Sequence, residues 1–263
     1  MSKESQPEFY RSTTENEIRG KFVKHFRDCP IPDHEILQNL GLFLSSKNLA
    51  RILFMDHLYQ QIVDVHGIVM EFGTRWGQNI ALFSALRGIY EPFNRMRKIV
   101  GFDTFEGFTP LVEKDAKDHP LIKKGSFATT KGYVDYLDGV MKYQEQDNPM
   151  SHIKKYELCK GDSSKEVLKF FKRSSEIIVA LAYFDFDIYQ PTLDCLKAIC
   201  PHLVRGSVLA FDELSDPDSP GETAALNEVF GLNNIKLRRY RYASRVSYFV
   251  VEEMRIKNIG HSK

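Results

Sequence analysis

IVMEFGTRWGQNIALF, residues 68–83, joins an apolar run of strand length to an apolar run at helical spacing. The loop between them holds an acid, two glycines and an Arg-Trp pair. A short buried run that ends in glycine and leads straight into a helix is the opening unit of an α/β protein, provided the unit repeats. It does. KIVGFD (98–103), KYELCKGD (155–162), EIIVALAYFDFD (176–187) and GSVLAFDE (206–213) carry the strand signal again. Helical patterns follow over Gly77–Tyr90, Tyr133–Tyr143, 163–174, 191–203 and 222–231, the third opening with a Ser163-x-x-Glu166 capping pattern.

Five such alternations imply a parallel sheet, because parallel neighbours need crossover helices. The last two strand signals, IKLRRYRY (235–242) and VSYFVVEEM (246–254), are separated only by a tight turn near Ala243–Ser244 and can pair only as an antiparallel hairpin at a sheet edge. The predicted fold is therefore α/β: a Rossmann-like, seven-stranded, mostly parallel sheet with a C-terminal antiparallel hairpin, the topology of class I methyltransferases. NAD-binding Rossmann domains usually continue with another parallel strand.

Outward from this core, residues 1–33 read as a polar leader and 34–263 as a single domain. Within it, 34–65 forms two helices interrupted near Gly41 and Ser45–Ser46, a candidate lid, and 66–252 forms the core. Residues 104–128, with two prolines, two glycines and several lysines, have no period and read as a long functional loop. The 263 residues are 43% hydrophobic and 27% charged, and 36 basic residues balance 35 acidic ones, so no overall field attracts nucleic acid or an anionic membrane. Cys29, Cys159, Cys195 and Cys200 have neither CxxC nor zinc spacing. They read as reduced thiols of a cytoplasmic protein, with no signal peptide and no membrane-spanning run.

Chemistry enters at the strand ends. Glu71 stands two residues before Gly73, with Gly77 four further on, and a carboxylate there suits a cationic or amino-bearing ligand better than a pyrophosphate. S-adenosylmethionine (SAM), with a sulfonium and an ammonium, is such a ligand, although a plain strand-to-helix turn accounts for the glycines equally well. Asp103 is placed to accept from ribose hydroxyls and Asp162 from an adenine amino group, while caps or turns explain each acid taken singly. Asp185, Asp187, Asp212 and Glu213 fall on the same rim. Adjacent carboxylates repel, and a divalent cation with hard oxygen ligands relieves them and acidifies a substrate hydroxyl. A solvated acidic rim is the alternative.

In that order EFGTRWGQN, GFDTFEGF, KGDS, FDFDIYQPT and FDEL resemble the macrocin O-methyltransferase (TylF/MycF-type) family of SAM-dependent enzymes, over roughly residues 35–252. Members methylate sugar hydroxyls of macrolides, aminocoumarins and related glycosides. The resemblance implies that Glu71, Gly73 and Gly77 form the SAM loop, that Asp103 takes the ribose and that Asp162 lies near adenine, with Thr74, Thr104, Phe105 and Ser163 beside them. The family pattern has an aspartate followed twenty-seven residues later by an Asp-Asp pair, and Asp212 stands twenty-seven residues after Asp185. By resemblance, Asp185 is a metal ligand and the general base, and Asp212 and Glu213 complete a Mg2+ site. Glu213 replaces the second aspartate of the pair, Phe186 replaces a glycine, and the loop after Gly107 carries a lysine-rich insertion.

The expectation is thus a Mg2+-assisted, SAM-dependent O-methyltransferase acting on a sugar or other polyhydroxylated small molecule. Its apolar N-terminal helices suggest a homo-oligomer. An NAD-linked oxidoreductase and a catalytically silent SAM-binding protein are the alternatives. Two further features divide the same way. The lone Trp76 is either a packing anchor or a lining of the cofactor pocket. Arg238, Arg239, Arg241 and Arg245 are either a solvated strand edge or a phosphate contact.

Overall fold

The computed structural model describes residues 12–116 and 122–252. Residues 1–11 of the expected leader, 117–121 of the long loop and 253–254 of the last expected strand lie outside the described residues. The chain divides into two compact units, Met1–Leu49 and Ala50–Lys263.

The first unit holds a helix the sequence reading did not anticipate, α1 (Thr13–Arg27). Ser12 and Glu15 close a capping box, the Glu15 amide donating to Ser12 Oγ at 3.2 Å and the Ser12 amide to Glu15 Oε2 at 2.8 Å. Lys24, His25 and Arg27 sit in the last turn, where the helix dipole favours cations. The stretch looked like a leader because polar residues outnumber apolar ones, yet Phe22 and Phe26 lie one turn apart and both pack on Phe43. A single turn, α2 (Asp33–Ile36), and a 3-10 segment, Leu37–Phe43, follow. The long helix α3 (Ser46–Ile62) begins at the expected break and continues into the second unit.

The second unit alternates β1 (Ile68–Phe72), α4 (Gln78–Tyr90), β2 (Ile99–Asp103), α5 (Tyr133–Asp147), β3 (Tyr156–Lys160), α6 (Ser163–Arg173), β4 (Val179–Phe184), α7 (Tyr189–Ile199), β5 (Leu203–Phe211) and α8 (Pro220–Val229). It ends with β6 (Arg238–Arg239) and β7 (Ser247–Val250). Strand order is β3-β2-β1-β4-β5-β7-β6, parallel except for β7, which runs antiparallel to both neighbours. This is the expected seven-stranded Rossmann-like sheet. The hairpin's first strand is only two residues long, because the chain leaves the edge at Tyr240 to bury that ring against Phe54. Among the described residues no helix is long and apolar enough to cross a membrane.

One ladder fixes where the site lies. Phe102, Phe72, Phe184 and Phe211 are register partners on four adjacent strands, and their rings stack at centroid distances of 5.0, 4.9 and 5.1 Å. Each ring is fully buried, worth about 1.5–3 kcal/mol of transfer energy. Successive strand residues face opposite sides. The residues that follow these rings, Asp103, Gly73, Asp185 and Asp212, therefore line one rim at the carboxyl ends of the strands. Gly73 and Asp185 meet where the strand order reverses between β1 and β4, the usual ligand crevice of such sheets.

Candidate active site

The glycine loop comes first. Gly73 has φ +91°, and a Cβ there would stand 2.0 Å from the carbonyl oxygen of Asp185. Gly77 has φ +77° at the N-cap of α4, and its Cβ would strike Leu137. Both glycines are thus required by the chain's own packing, in addition to any ligand. The loop's side chains tell a different story. Glu71 is 1% exposed, and neither of its carboxylate oxygens has a hydrogen-bond partner. Thr74 Oγ1 and Asn79 Oδ1 beside it are also buried and unpartnered. Burial pushes the Glu71 carboxyl up to about 8; nearby Asn79 opposes this and Asp103 adds to it. Arg75, strained at φ +45°, lies 4.7 Å from the centre of the Phe127 ring, with its Nε buried and unpartnered.

Asp103 ties two loops together: Oδ2 accepts the Arg75 amide at 2.7 Å and Oδ1 the Phe105 amide at 2.5 Å. Thr104 Oγ1 donates to Gly107 O, closing the turn, and Phe105 is buried at φ +57°. Asp162, not Ser163, is the N-cap of α6. Its side chain accepts the Ser164 amide at 3.1 Å and pairs with Lys165 at 3.0 Å, so the Ser163–Glu166 capping pattern is not the one used. Ser163 itself is buried. Asp162 also borders a cavity of about 610 Å³ shared by Thr109, Lys165, Gln190, Asp194 and Lys197.

Across Gly73, carboxylate oxygens of Asp185, Asp212 and Glu213 lie within 4.8 Å of one another. Three side chains outside the expected set complete the group. Arg51, from α3, reaches Asp212 at 2.7 Å and Asp185 at 3.6 Å and donates to the Tyr183 hydroxyl at 3.3 Å. Tyr183 donates to Asp212. Arg245 pairs with Glu213 Oε1 and Asp216, both at 2.7 Å, while its side chain stays 43% exposed, so its guanidinium is committed to these acids rather than to a phosphate. Trp76 likewise is no packing anchor: it is 42% exposed, edge-on to Tyr133.

Burial first, then Asp212, drives the Asp185 carboxyl well above the usual range, and burial with Asp212, Asp187 and Asp185 does the same to Glu213. Asp212 goes the other way: burial opposes its charge, but Arg51, with Glu213 and the Tyr183 hydroxyl beside it, wins. Arg51 is correspondingly held charged, burial being outweighed by Tyr183, Asp212 and Asp185. The acids titrate as a group, with one member charged and its neighbours reluctant. Glu213 Oε2 remains buried without a partner. Hard oxygens at this spacing, with one orphaned acceptor and more acids than paired arginines, fit a magnesium ion.

Of the residues expected from sequence, Glu71, Gly73, Thr74 and Asp103 meet at the loop, and Asp185, Asp212 and Glu213 meet across it. Tyr183 was legible, since strand alternation puts it on the face of Asp185. Arg51 left no local signal.

No family model and no curated protein sequence matches the chain. Solved structures do. CalS11, a calicheamicin methyltransferase, matches with TM-score 0.89 and 39% identity, covering 92% of this chain and 94% of that one. The apo structure of CalS11, described as a TDP-rhamnose 3'-O-methyltransferase, matches with TM-score 0.81 and 37% identity over 92% and 96%. The O-methyltransferase NovP, at TM-score 0.59 and 15% identity over 78% and 80%, shares the fold. With more than a third of its residues shared with CalS11 over nearly the full length of both chains, the protein belongs to the same family, and it is a SAM-dependent O-methyltransferase.

Proposed function

We propose that the protein methylates a hydroxyl of a sugar or other polyhydroxylated small molecule, with Mg2+ at Asp185, Asp212 and Glu213. A nucleotide-linked deoxysugar, the class on which CalS11 acts, is the first acceptor to test. The reading keeps the affinity to macrocin O-methyltransferases. The observation that carries it is the meeting at Gly73 of two needs: buried acceptors of the glycine loop without donors, and a carboxylate triad with an unpartnered oxygen. An ammonium answers the first and a hard cation the second.

On this reading Glu71, with Thr74 and Asn79, takes the amino end of SAM; Asp103 holds the ribose against the Gly73–Gly77 loop, Thr104 and Phe105 shape the turn beneath it, and Asp162 and Ser163 border the adenine. The transfer is an in-line displacement: the acceptor oxygen forms the bond to the methyl carbon as the carbon–sulfur bond breaks, and S-adenosylhomocysteine leaves uncharged. Asp185 receives the hydroxyl proton. When bound, the cation supplies the positive charge that acidifies and orients that hydroxyl. Arg51 screens Asp212 and keeps its carboxylate pointed inward. The fixed geometry contributes through positioning.

The same proposal divides the chain into a leader (1–33), a helical lid (34–65) and the core (66–252), the lid segment being the one that brings Arg51 to the acids. It places the protein in the cytoplasm as a homo-oligomer, in keeping with an α1 that buries none of its residues. The test is incubation of purified protein with SAM and TDP-rhamnose, with Mg2+ or with EDTA, read by mass spectrometry. A methylated nucleotide sugar formed only with Mg2+ is expected. Product at equal rate in EDTA removes the metal from the proposal, and SAM binding without transfer to any sugar acceptor removes the substrate class.

A further inference from the structure

Glu222 is fully buried, in the first turn of α8, and belongs to none of the roles above. It stands three residues after the N-cap Ser219, where a glutamate ordinarily reaches back to the N-cap amide to close a capping box. Here the Ser219 amide donates to Asp216 O instead, and the Glu222 carboxylate is turned away, across the rim. Its Oε1 accepts the amides of Phe186 at 2.8 Å and Asp187 at 3.2 Å, in the turn after β4. Its Oε2 accepts the Glu213 amide at 3.4 Å, in the turn after β5.

We infer that Glu222 is a positioning residue for methyl transfer, a bracket whose two oxygens hold the Asp185–Asp187 turn and the Asp212–Glu213 turn at a fixed separation. The inference rests on the reading of these acids as the reacting site. Three neighbours support it. Gly221 has no room for a side chain, because a Cβ would stand 2.4 Å from the Tyr189 amide nitrogen and 2.8 Å from Asp115 Oδ1. The first turn of α8 is therefore seated directly on the turn that carries Asp185. Thr223 Oγ1 accepts the Ser215 amide at 2.9 Å, extending the grip on the second turn. Asp187, at φ +60°, holds a conformation that a non-glycine residue keeps only when its surroundings enforce it. A carboxylate is also a costly choice for a mere cap among Asp185, Asp187 and Glu213, since burial beside like charges disfavours it. What it offers that serine or asparagine cannot is reach, with two acceptors on one rigid plane.

The experiment compares wild type, Glu222→Gln and Glu222→Ala in full-length protein. Glutamine keeps one acceptor oxygen for Phe186 and Asp187 but turns an amino group toward the Glu213 amide; alanine removes both contacts. Amide hydrogen exchange reads the bracket itself, SAM titration reads the integrity of the neighbouring loop, and Mn2+ titration with methyl transfer to TDP-rhamnose reads the site. Expected for Glu222→Ala are faster exchange at residues 186, 187 and 213, SAM affinity within about threefold of wild type, and kcat down about a hundredfold with KM for SAM unchanged, as for a misplaced reacting group. Glu222→Gln is expected between the two, protected at 186 and 187 but not at 213. Protection unchanged in Glu222→Ala overturns the inference, and so does an unchanged kcat and Mn2+ affinity once protection is lost. A wild-type protein that takes neither Mn2+ nor the acceptor refutes the proposed function at its source and the bracket's role with it; that result is seen before any variant is made.

Discussion

The two halves of the site meet at one glycine and are built on opposite electrostatic plans. At the glycine loop the buried oxygens of Glu71, Thr74 Oγ1 and Asn79 Oδ1 have no hydrogen-bond partner, Arg51 opposes the rise of the Glu71 carboxyl without pairing with it, and Arg75 leaves its Nε unpartnered. At the acid rim part of the charge is answered from within: Arg51 and Tyr183 hold Asp212 and Arg245 holds one oxygen of Glu213, while Asp185 lies 3.6 Å from Arg51 and Glu213 Oε2 is left over. A buried acceptor without a donor costs about 1–3 kcal/mol. The loop therefore gains most from a ligand arriving from outside. The rim is partly compensated, so a metal there must compete with arginines, and its affinity is set by that contest as much as by the carboxylates.

The change with the largest expected effect removes the hinge between the halves. Gly73→Ala places a methyl group 2.0 Å from Asp185 O on a backbone at φ +91°. Strain at such a position alone costs about 1–3 kcal/mol, and the clash adds to it. The variant should melt several degrees lower and bind neither SAM nor Mn2+. Retention of either ligand at wild-type affinity would show that the halves are independent.

Glu71→Gln separates them in the other direction. Loss of a charge-assisted contact of about 1.5–3 kcal/mol should weaken SAM roughly ten- to a hundredfold while leaving Mn2+ affinity alone. The pH dependence gives a sharper reading. The Glu71 carboxyl is raised from 4.5 to about 8, so between those values it is neutral when folded and ionised when unfolded. Its contribution to stability is complete below the lower value and is lost as pH rises through the upper one. An ammonium needs the ionised form, so SAM binding below pH 8 must expel the Glu71 proton. Affinity should rise with pH across about 5.5–7.5, by up to tenfold per unit. Titration in buffers of different ionisation enthalpy should register one proton released, and none in Glu71→Gln.

At the rim the contest can be tilted. Arg51→Gln removes a guanidinium from Asp212 and Asp185, and at a few ångströms such a charge is worth about 4 kcal/mol even with an effective dielectric of 20. Much of that is recovered by relaxation, so the expected gain in Mn2+ affinity is about tenfold. Added Mn2+ should raise the melting temperature of Arg51→Gln more than that of wild type. Equal Mn2+ affinity in the two proteins would mean that the arginine and the ion do not share the site.

The contrast also explains what the sequence could disclose. Strand ends carry their signal locally: each Phe-Asp step, at 102–103, 184–185 and 211–212, marks a buried ring followed by a rim acid, and strand periodicity alone puts those acids in line. The hairpin was legible because its turn is too short for a crossover. Arg51 was not, since it reaches the rim from a helix 161 residues away from Asp212 in sequence, by a route that only packing creates. Arg245 and Glu222 were hidden for the same reason, one read as part of an arginine-rich edge and the other standing unremarked at the start of a helical pattern. α1 escaped because a helix with a narrow apolar stripe resembles a polar leader in composition.

The smallest expected effect tests the residue at which local and ligand roles overlap most. Asp162 already has a local function, capping α6 through the Ser164 amide, and its pairing with the exposed Lys165 adds little. Replacement by alanine would confound the loss of a cap, about 1 kcal/mol, with any loss at the adenine. Asp162→Ser avoids this, because serine caps nearly as well but its hydroxyl cannot reach as far beyond the helix end. The melting temperature should hold while SAM affinity falls about fivefold, the size of one peripheral hydrogen bond of about 1 kcal/mol. An unchanged SAM affinity in Asp162→Ser would make Asp162 a cap alone and confine the cofactor's recognition to the loop and Asp103, narrowing the comparison between the two halves to the residues that flank Gly73.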